Sequence, residues 1–188
     1  MSRSYNDSVW LTNLVENLLS VTRLEDGNMK LNKSAELIDE IITEALNHIN
    51  RRSFEHKITV CESNDIMLVD VDARLIVQVI INIVDNAIKY TPNGSEITIS
   101  TERKDDMISV SIADNGNGIA DNLKDKVFDM FYTGANKIAD SRRSLGLGLA
   151  LCKTIISAHG GEITVSDNKA HGAVFTFTLP VKEVDINE

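Results

Sequence analysis

The sequence is poor in the residues that staple, break or anchor a chain. Its 188 residues include two cysteines and two prolines. Two thiols cannot build a disulfide framework or a four-thiolate zinc site, so a reducing, intracellular setting is the expectation. So few prolines, beside ten glycines, exclude collagen-like and low-complexity classes. No apolar run approaches the ~20 residues of a membrane span, and Met1 to Asn13 is too polar for a signal peptide. The chain therefore reads as soluble, whatever a longer parent does. Basic residues are outnumbered, 19 Lys and Arg against 28 Asp and Glu, giving a net charge of -9. A phosphate-backbone binder needs a basic face, so nucleic acid is excluded as a partner, while a smaller anion held locally is not.

What remains is an ordinary globular composition, 43% hydrophobic and 25% charged, with length for one domain and an appendage. From Ser8 to Leu24 runs an amphipathic helix in which Leu11, Leu14, Leu18 and Val21 alternate steps of three and four. So short a helix needs a partner helix, a second copy, or the domain's own core to lie on. Glu25 to Asn28 break the pattern and divide the chain into 1–28 and 29–184. Beyond the break the signals become mixed. They predict a strand near Met29 to Leu37, a helix from Asp39 to about Arg51, and strands at Lys57 to Cys61 and Ile66 to Val71. Asp72 is placed to N-cap a strongly periodic helix that Thr91, Pro92, Asn93 and Gly94 end. Glu96 to Thr101 and Met107 to Ala113 read as a hairpin with one buried face. A long polar stretch from Asp114 to Ser144 follows, with apolar content only at Val127 to Tyr132. A helix from Gly146 to His159 and strands at Glu162 to Ser166 and Ala173 to Leu179 close the pattern. Connections of that length are uncommon unless functional or mobile.

Three clusters carry candidate chemistry. Asn82, Asn86 and Lys89 fall at i, i+4 and i+7 of one helix, hence on one face, with Tyr90 following. This is either a solvated face or a polar stripe whose amide oxygens could ligate Mg2+ shared with phosphates. Asp114, Asn115, Gly116, Asn117 and Gly118 leave a strand end. They are either a plain turn or an acid placed to accept an amino group beside bare backbone. Gly146, Leu147 and Gly148 run into a helix, where they either allow close packing or turn backbone N–H groups to an anion. The Rossmann pattern fails at Leu151 and the P-loop pattern at Cys152. Among the rest, His159, Gly160 and Gly161 resemble a helix C-terminus with a glycine cap. His48, His56 and His171 lack metal-ligand spacing, and Cys61 and Cys152 are expected to be buried, inert thiols.

In combination and order, these clusters together with Phe128 and Phe131 resemble the N, G1, F and G2 boxes of the nucleotide-binding domain of sensor histidine kinases, over about residues 30 to 180. Gly146 to Cys152 is similar to the Kdp-type sensor kinases. The resemblance implies an α+β fold, a Bergerat-type two-layer α/β sandwich whose mixed sheet is covered by helices on one face, preceded by the long N-terminal amphipathic helix. That helix, ending in Thr22, Arg23, Leu24 and Glu25, would be the second helix of the dimerisation and phosphotransfer hairpin. The cofactors implied are ATP and Mg2+. Asp114 would bind the adenine amino group and Tyr90 would line the base or ribose. Asn86, assisted by Asn82, would hold the metal, and Lys89 would add positive charge. Gly116, Gly118, Phe131, Gly146, Leu147 and Gly148 would surround the nucleotide, with Lys137, Arg142 and Arg143 of a lid reaching the phosphates. Implied partners are the chain's own phosphoacceptor helix, a response regulator and a second copy. The implied location is a cytoplasmic domain of a protein at the bacterial membrane.

The chain departs from that family in three places. None of its four histidines has the acid and proline neighbours of the phosphoacceptor motif, so it is expected to begin inside the hairpin's second helix and to be unable to phosphorylate itself. Ser144 stands for a frequent glycine and Thr133 for a frequent arginine. Two other readings stay open here: a non-catalytic dimerising module, and a superfamily ATPase or serine kinase. Asn82 occupies the place of the glutamate that activates water in related ATPases, and an amide cannot be that base.

Overall fold

The computed structural model describes residues 30–49, 55–61, 63, 65–132 and 146–182. The expected helix at Ser8 to Leu24, the break at Glu25 to Asn28, and the lid residues Lys137, Arg142 and Arg143 lie outside them, as do Thr133 and Ser144. Among the described residues, seven strands form two sheets. Strand β1 (Ser34–Leu37) pairs antiparallel with β3 (Leu68–Val71). The larger sheet is mixed and has the order β2-β4-β5-β7-β6. Its strands are β2 (Lys57–Val60), β4 (Glu96–Lys104), β5 (Met107–Asp114), β6 (Ile163–Asp167) and β7 (Ala173–Pro180). β2 runs parallel to β4, and all other neighbours are antiparallel. An isolated bridge from Val69 to Val181 joins the two sheets.

Alternation decides which face is covered. Along β5, Ile108, Val110, Ile112 and Asp114 are buried, while the residues between them are half-buried. β7 repeats this with Ala173, Phe175, Phe177 and Leu179. Against that buried face lie α1 (Ile38–Ile49), α2 (Ala73–Tyr90) and α4 (Gly148–Ala158). The core is dominated by isoleucine and valine, with α2 contributing Ile76, Val79, Ile80, Ile83 and Val84. These β-branched residues form a helix because their spacing, not their propensity, buries a continuous stripe. A short helix that the sequence pattern missed, α3 (Asp121–Lys124), follows the Asp114 turn, and a 3-10 turn at Lys126–Phe128 comes next.

Asp72 begins α2 as expected, but its carboxylate does not cap the helix. Instead it accepts the N–H of Asn32 at 3.2 Å. The main chain of Asp72 serves the helix, its carbonyl accepting from Leu75 and Ile76. Its own N–H donates at 3.0 Å to Nε2 of His159, at the far end of α4. His159 is 1% exposed, and its Nδ1 lies 2.8 Å from the carbonyl of Ile155. The ring therefore carries its proton on Nδ1 and is neutral. Burial holds its pKa below the ordinary imidazole value. The two helices whose other ends reach the candidate site are thus joined through a buried imidazole.

Candidate functional site

Three elements converge at the C-terminal end of α2. The helix stops at Tyr90 because Thr91, before Pro92, is extended. The Thr91 hydroxyl donates to the carbonyl of Ala87 at 2.7 Å and lies 2.9 Å from Nε2 of His56. Its single hydrogen is spent on Ala87, so the imidazole donates. The methyl of Thr91 abuts the turn after β5, and a Cβ added to Gly116 would stand 2.6 Å from it. That contact brings the end of the polar stripe beside Asp114.

Asp114 is 7% exposed. Its Oδ1 accepts the N–H of Gly116 at 2.9 Å and that of Ala173 at 3.3 Å. Among the described residues both bonds fall on Oδ1, which leaves Oδ2 as the oxygen with capacity for an outside donor. The β6–β7 turn holds the Asp114 main chain from behind. Nδ2 of Asn168 donates to the carbonyl of Asp114 at 2.9 Å, and His171 Nδ1 lies 3.3 Å from the carbonyl of Gly116. Gly118 has φ +72°, where a side chain would be strained, and a Cβ there would approach the carbonyl of Gly172 at 3.1 Å. Beside this turn opens a polar cleft of about 540 Å3, lined by Asn93, Ser95, Asn115, Gly116, Asn117 and His171.

Along α2 the stripe leads away from Asp114. Lys89 and Tyr90 are exposed, with the Lys89 ammonium 5.0 Å above the centre of the Tyr90 ring, a cation–π contact. Asn86 and Asn82 are half-buried. Asn82 is oriented on both sides, accepting from Gln78 Nε2 at 3.0 Å and donating to the carbonyl of Gly148 at 3.4 Å. Its amide therefore stands at the start of α4. There Leu147 is the N-cap residue, and its side chain makes no capping bond to the helix. Leu147 is buried, 4% exposed. Cys152, one turn on, is buried, and burial pushes its thiol up to about 12. It is inert as expected. Cys61 is not buried but exposed, because it follows the edge strand β2.

Phe131 and Gly146 lie against one another. Phe131 N–H donates to the carbonyl of Gly146 at 3.1 Å. Both residues have positive φ, +63° and +65°. For Gly146 this is cheap, and a Cβ there would collide with the carbonyl of Tyr132. For Phe131, 63% exposed, it is strain held by its surroundings. Phe128 anchors this base from below, buried edge-on against Phe175 with ring centres 6.1 Å apart.

The sequence-predicted boxes thus meet pairwise, Thr91 after the polar stripe against Gly116, Asn82 against Gly148, and Phe131 against Gly146. Residues the pattern missed are Thr91, Asn168, His171, Gly172 and the main chain of Ala173. The only signal for the last four was an ordinary polar and glycine turn between two strands. Among the described residues no helix is long and apolar enough to cross a membrane, and no group of three His, Cys, Asp or Glu residues could hold a metal.

A family model described as "Histidine kinase-, DNA gyrase B-, and HSP90-like ATPase" matches residues 71–183. The sensor protein KdpD of Clostridium acetobutylicum is 44% identical over 176 residues, covering 94% of this chain and 20% of that protein. This chain thus spans about a fifth of that relative's length. The catalytic domain of histidine kinase ThkA is 32% identical with a TM-score of 0.68, over 81% of this chain and 96% of that one. ThkA in complex with its response regulator protein TrrA is 28% identical with a TM-score of 0.68, over 91% of this chain and 49% of that one. The chain therefore belongs to the histidine kinase-, DNA gyrase B- and HSP90-like ATPase family, within which it is the ATP-binding catalytic domain of a sensor histidine kinase.

Proposed function

We propose that this domain binds Mg-ATP between Asp114 and the start of α4 and transfers the γ-phosphoryl group to a histidine on a separate helix. The observation that carries this is the pinned carboxylate of Asp114, with Oδ1 spent on two main-chain donors and Oδ2 available to the adenine amino group. The triphosphate then runs along α2 toward the N–H groups at the start of α4. Lys89 supplies positive charge beside it and Tyr90 flanks the base or ribose. Gly116, Gly118, Phe131, Gly146, Leu147 and Gly148 form the walls, and Lys137, Arg142 and Arg143 would add positive charge for the phosphates.

The donor set suits magnesium rather than a tighter metal. Asn82 and Asn86 offer neutral amide oxygens one helical turn apart, which fits an ion that keeps its waters and shares its shell with phosphates. A magnesium ion held by Asn82 and Asn86 would supply charge neutralisation for the phosphates. The residues themselves position and orient. An imidazole nitrogen attacks the γ-phosphorus, the bond to the bridging oxygen breaks, and ADP leaves with that oxygen. The nucleophile comes with the substrate, so no base is required at position 82.

In the whole protein, residues 1–28 would be the second helix of the dimerisation hairpin and 29–184 the catalytic domain. Two copies would pair through the hairpin. As ThkA was solved with its response regulator TrrA, a response regulator is the expected receiver of the phosphoryl group. The domain would lie on the cytoplasmic side of a bacterial membrane protein. The test supplies a phosphoacceptor hairpin in trans with γ-labelled ATP. Acid-labile phosphate on histidine is expected, and acid-stable phosphate on serine, or free phosphate alone, would overturn the proposal.

A further inference from the structure

The carboxylate of Asp114 does not orient itself. β5 and β7 are in register to Ala113 and Val174, which places Ala173 opposite Asp114. In an antiparallel ladder, successive residues turn their N–H groups to alternate neighbours. Asn168 N–H donates to the carbonyl of Gly172 at 3.0 Å on the β6 side, so Ala173 turns its N–H to β5, where it reaches Oδ1 of Asp114 at 3.3 Å. The side chain of the same Asn168 donates to the carbonyl of Asp114 at 2.9 Å. Gly172 closes the turn with φ +109° and lies against that carbonyl, leaving no room for a Cβ. His171 reaches on to the carbonyl of Gly116, whose N–H is the second donor to Oδ1. The six residues from Asn168 to Ala173 therefore grip both the main chain of Asp114 and one oxygen of its carboxylate. Behind the turn, Lys124 bridges Asp167 at 2.7 Å and Asp121 at 2.6 Å, tying the end of β6 to α3.

We propose that Asn168 is a positioning residue for base recognition: its side-chain amide fixes the main chain of Asp114 so that Oδ1 stays on Gly116 and Ala173 while Oδ2 faces the 6-amino group of the purine. This rests on the reading of Asp114 as the acceptor of that amino group. The physical cost of losing it follows from pre-organisation. Without Asn168 the Asp114 carbonyl loses a donor beside a half-exposed turn, and the carboxylate samples rotamers that binding must then restrict.

Calorimetry on the full chain, with Mg-ATP and with the Mg complex of purine riboside triphosphate, which lacks only the amino group, separates positioning from general support. Wild type is expected to bind ATP about tenfold more tightly than the analogue, since one hydrogen bond to a charged acceptor is at stake. In Asn168→Ala, ATP affinity falls about five- to tenfold while analogue affinity changes less than about twofold. Asn168→Asp, which keeps the shape and the backbone N–H bond to Gly172 but sets a carboxylate oxygen against the Asp114 carbonyl in place of the donor, shows a selective loss at least as large. It also serves as the check should the alanine variant fold poorly. An equal loss for both nucleotides, or no loss for either, overturns the role of Asn168 while leaving the reading of Asp114 intact. Equal binding of the two nucleotides by wild type overturns that reading, and the proposal with it.

Discussion

The proposed base end and the proposed phosphate end of the site are built from different materials. At the base end the contacts run through main chain: two N–H groups on one carboxylate oxygen, a turn pressed against the carbonyl behind it, and a residue 7% exposed. At the phosphate end they run through side chains on one helix face, with Asn82 and Asn86 half-buried and Lys89 and Tyr90 exposed, opposite the start of α4. A rigid, planar base is recognised by groups that are already fixed, since nothing in the ligand adjusts to them. A triphosphate with rotatable bonds and a shared cation is met by longer, adaptable donors and by N–H groups whose direction the helix sets. The fold reflects this division, for the base end lies within the sheet and the phosphate end lies where two helices meet.

Asp114→Ala is the strongest test of that division. It removes the proposed partner of the amino group and leaves the N–H groups of Gly116 and Ala173 without their carboxylate acceptor. Affinity for ATP is expected to fall about a hundredfold, the cost of an unpaired buried group plus a lost charge-assisted bond. Adenosine, which contains the base but no phosphate, should lose the same factor. A loss seen with ATP but not with adenosine would place Asp114 at the wrong end.

Gly146→Ala acts on the opposite end and more weakly. Alanine at φ +65° is strained, and its Cβ would strike the main chain of Phe131 and Tyr132. Strain of about 1–3 kcal/mol is expected to part Phe131 from Gly146 and move the start of α4. The expected outcome is a loss of about tenfold in ATP affinity with adenosine affinity held within about twofold. Parallel losses for nucleoside and nucleotide would show that the two ends are one rigid unit after all.

The same contrast explains what could be read from the chain without coordinates. The phosphate end was legible: Asn82, Asn86 and Lys89 share a helix face by spacing alone, and Gly146 and Gly148 stand next to an apolar helical run. Asp114 was legible as an acid at a strand end. Its clamp was not, because Asn168 and Ala173 lie 54 and 59 residues away and become neighbours only when β5 pairs with β7. Asp72 shows the limit of a local rule. It sits at the expected N-cap position, but Asn32 takes its carboxylate and His159 takes its N–H, both through long-range contacts that a capping pattern cannot anticipate. Cys61 shows another, since an apolar context predicts burial only if the strand before it has neighbours on both sides.

The smallest expected effect concerns what holds the phosphate end together from behind. Nε2 of His159 accepts the N–H of Asp72, before α2, and Nδ1 bonds within α4, so protonation would remove the only acceptor joining the two helix ends at that point. Burial lowers its pKa most; Lys33 lowers it further, while the carbonyl of Ile155 and the charges of Asp72 and Asp70 oppose. Because the folded value lies below the unfolded one, the unfolded chain takes up this proton first. Stability is then complete above about pH 6.5 and falls as pH drops through that value toward the lower folded one, with a slope of at most about 1.4 kcal/mol per pH unit for one proton. Urea unfolding from pH 7.5 to pH 5 checks this against His159→Gln, which has no titrating group there. His48, His56 and His171 remain in both proteins, so the difference in slope isolates His159. Wild type should lose more stability than the variant across that range, and amide exchange should rise first at Asp72 and the last turn of α4 while Asp114, Gly116 and Ala173 stay protected. Equal slopes in the two proteins would mean that the imidazole is only packing, and that the phosphate end owes its rigidity to the isoleucine core alone.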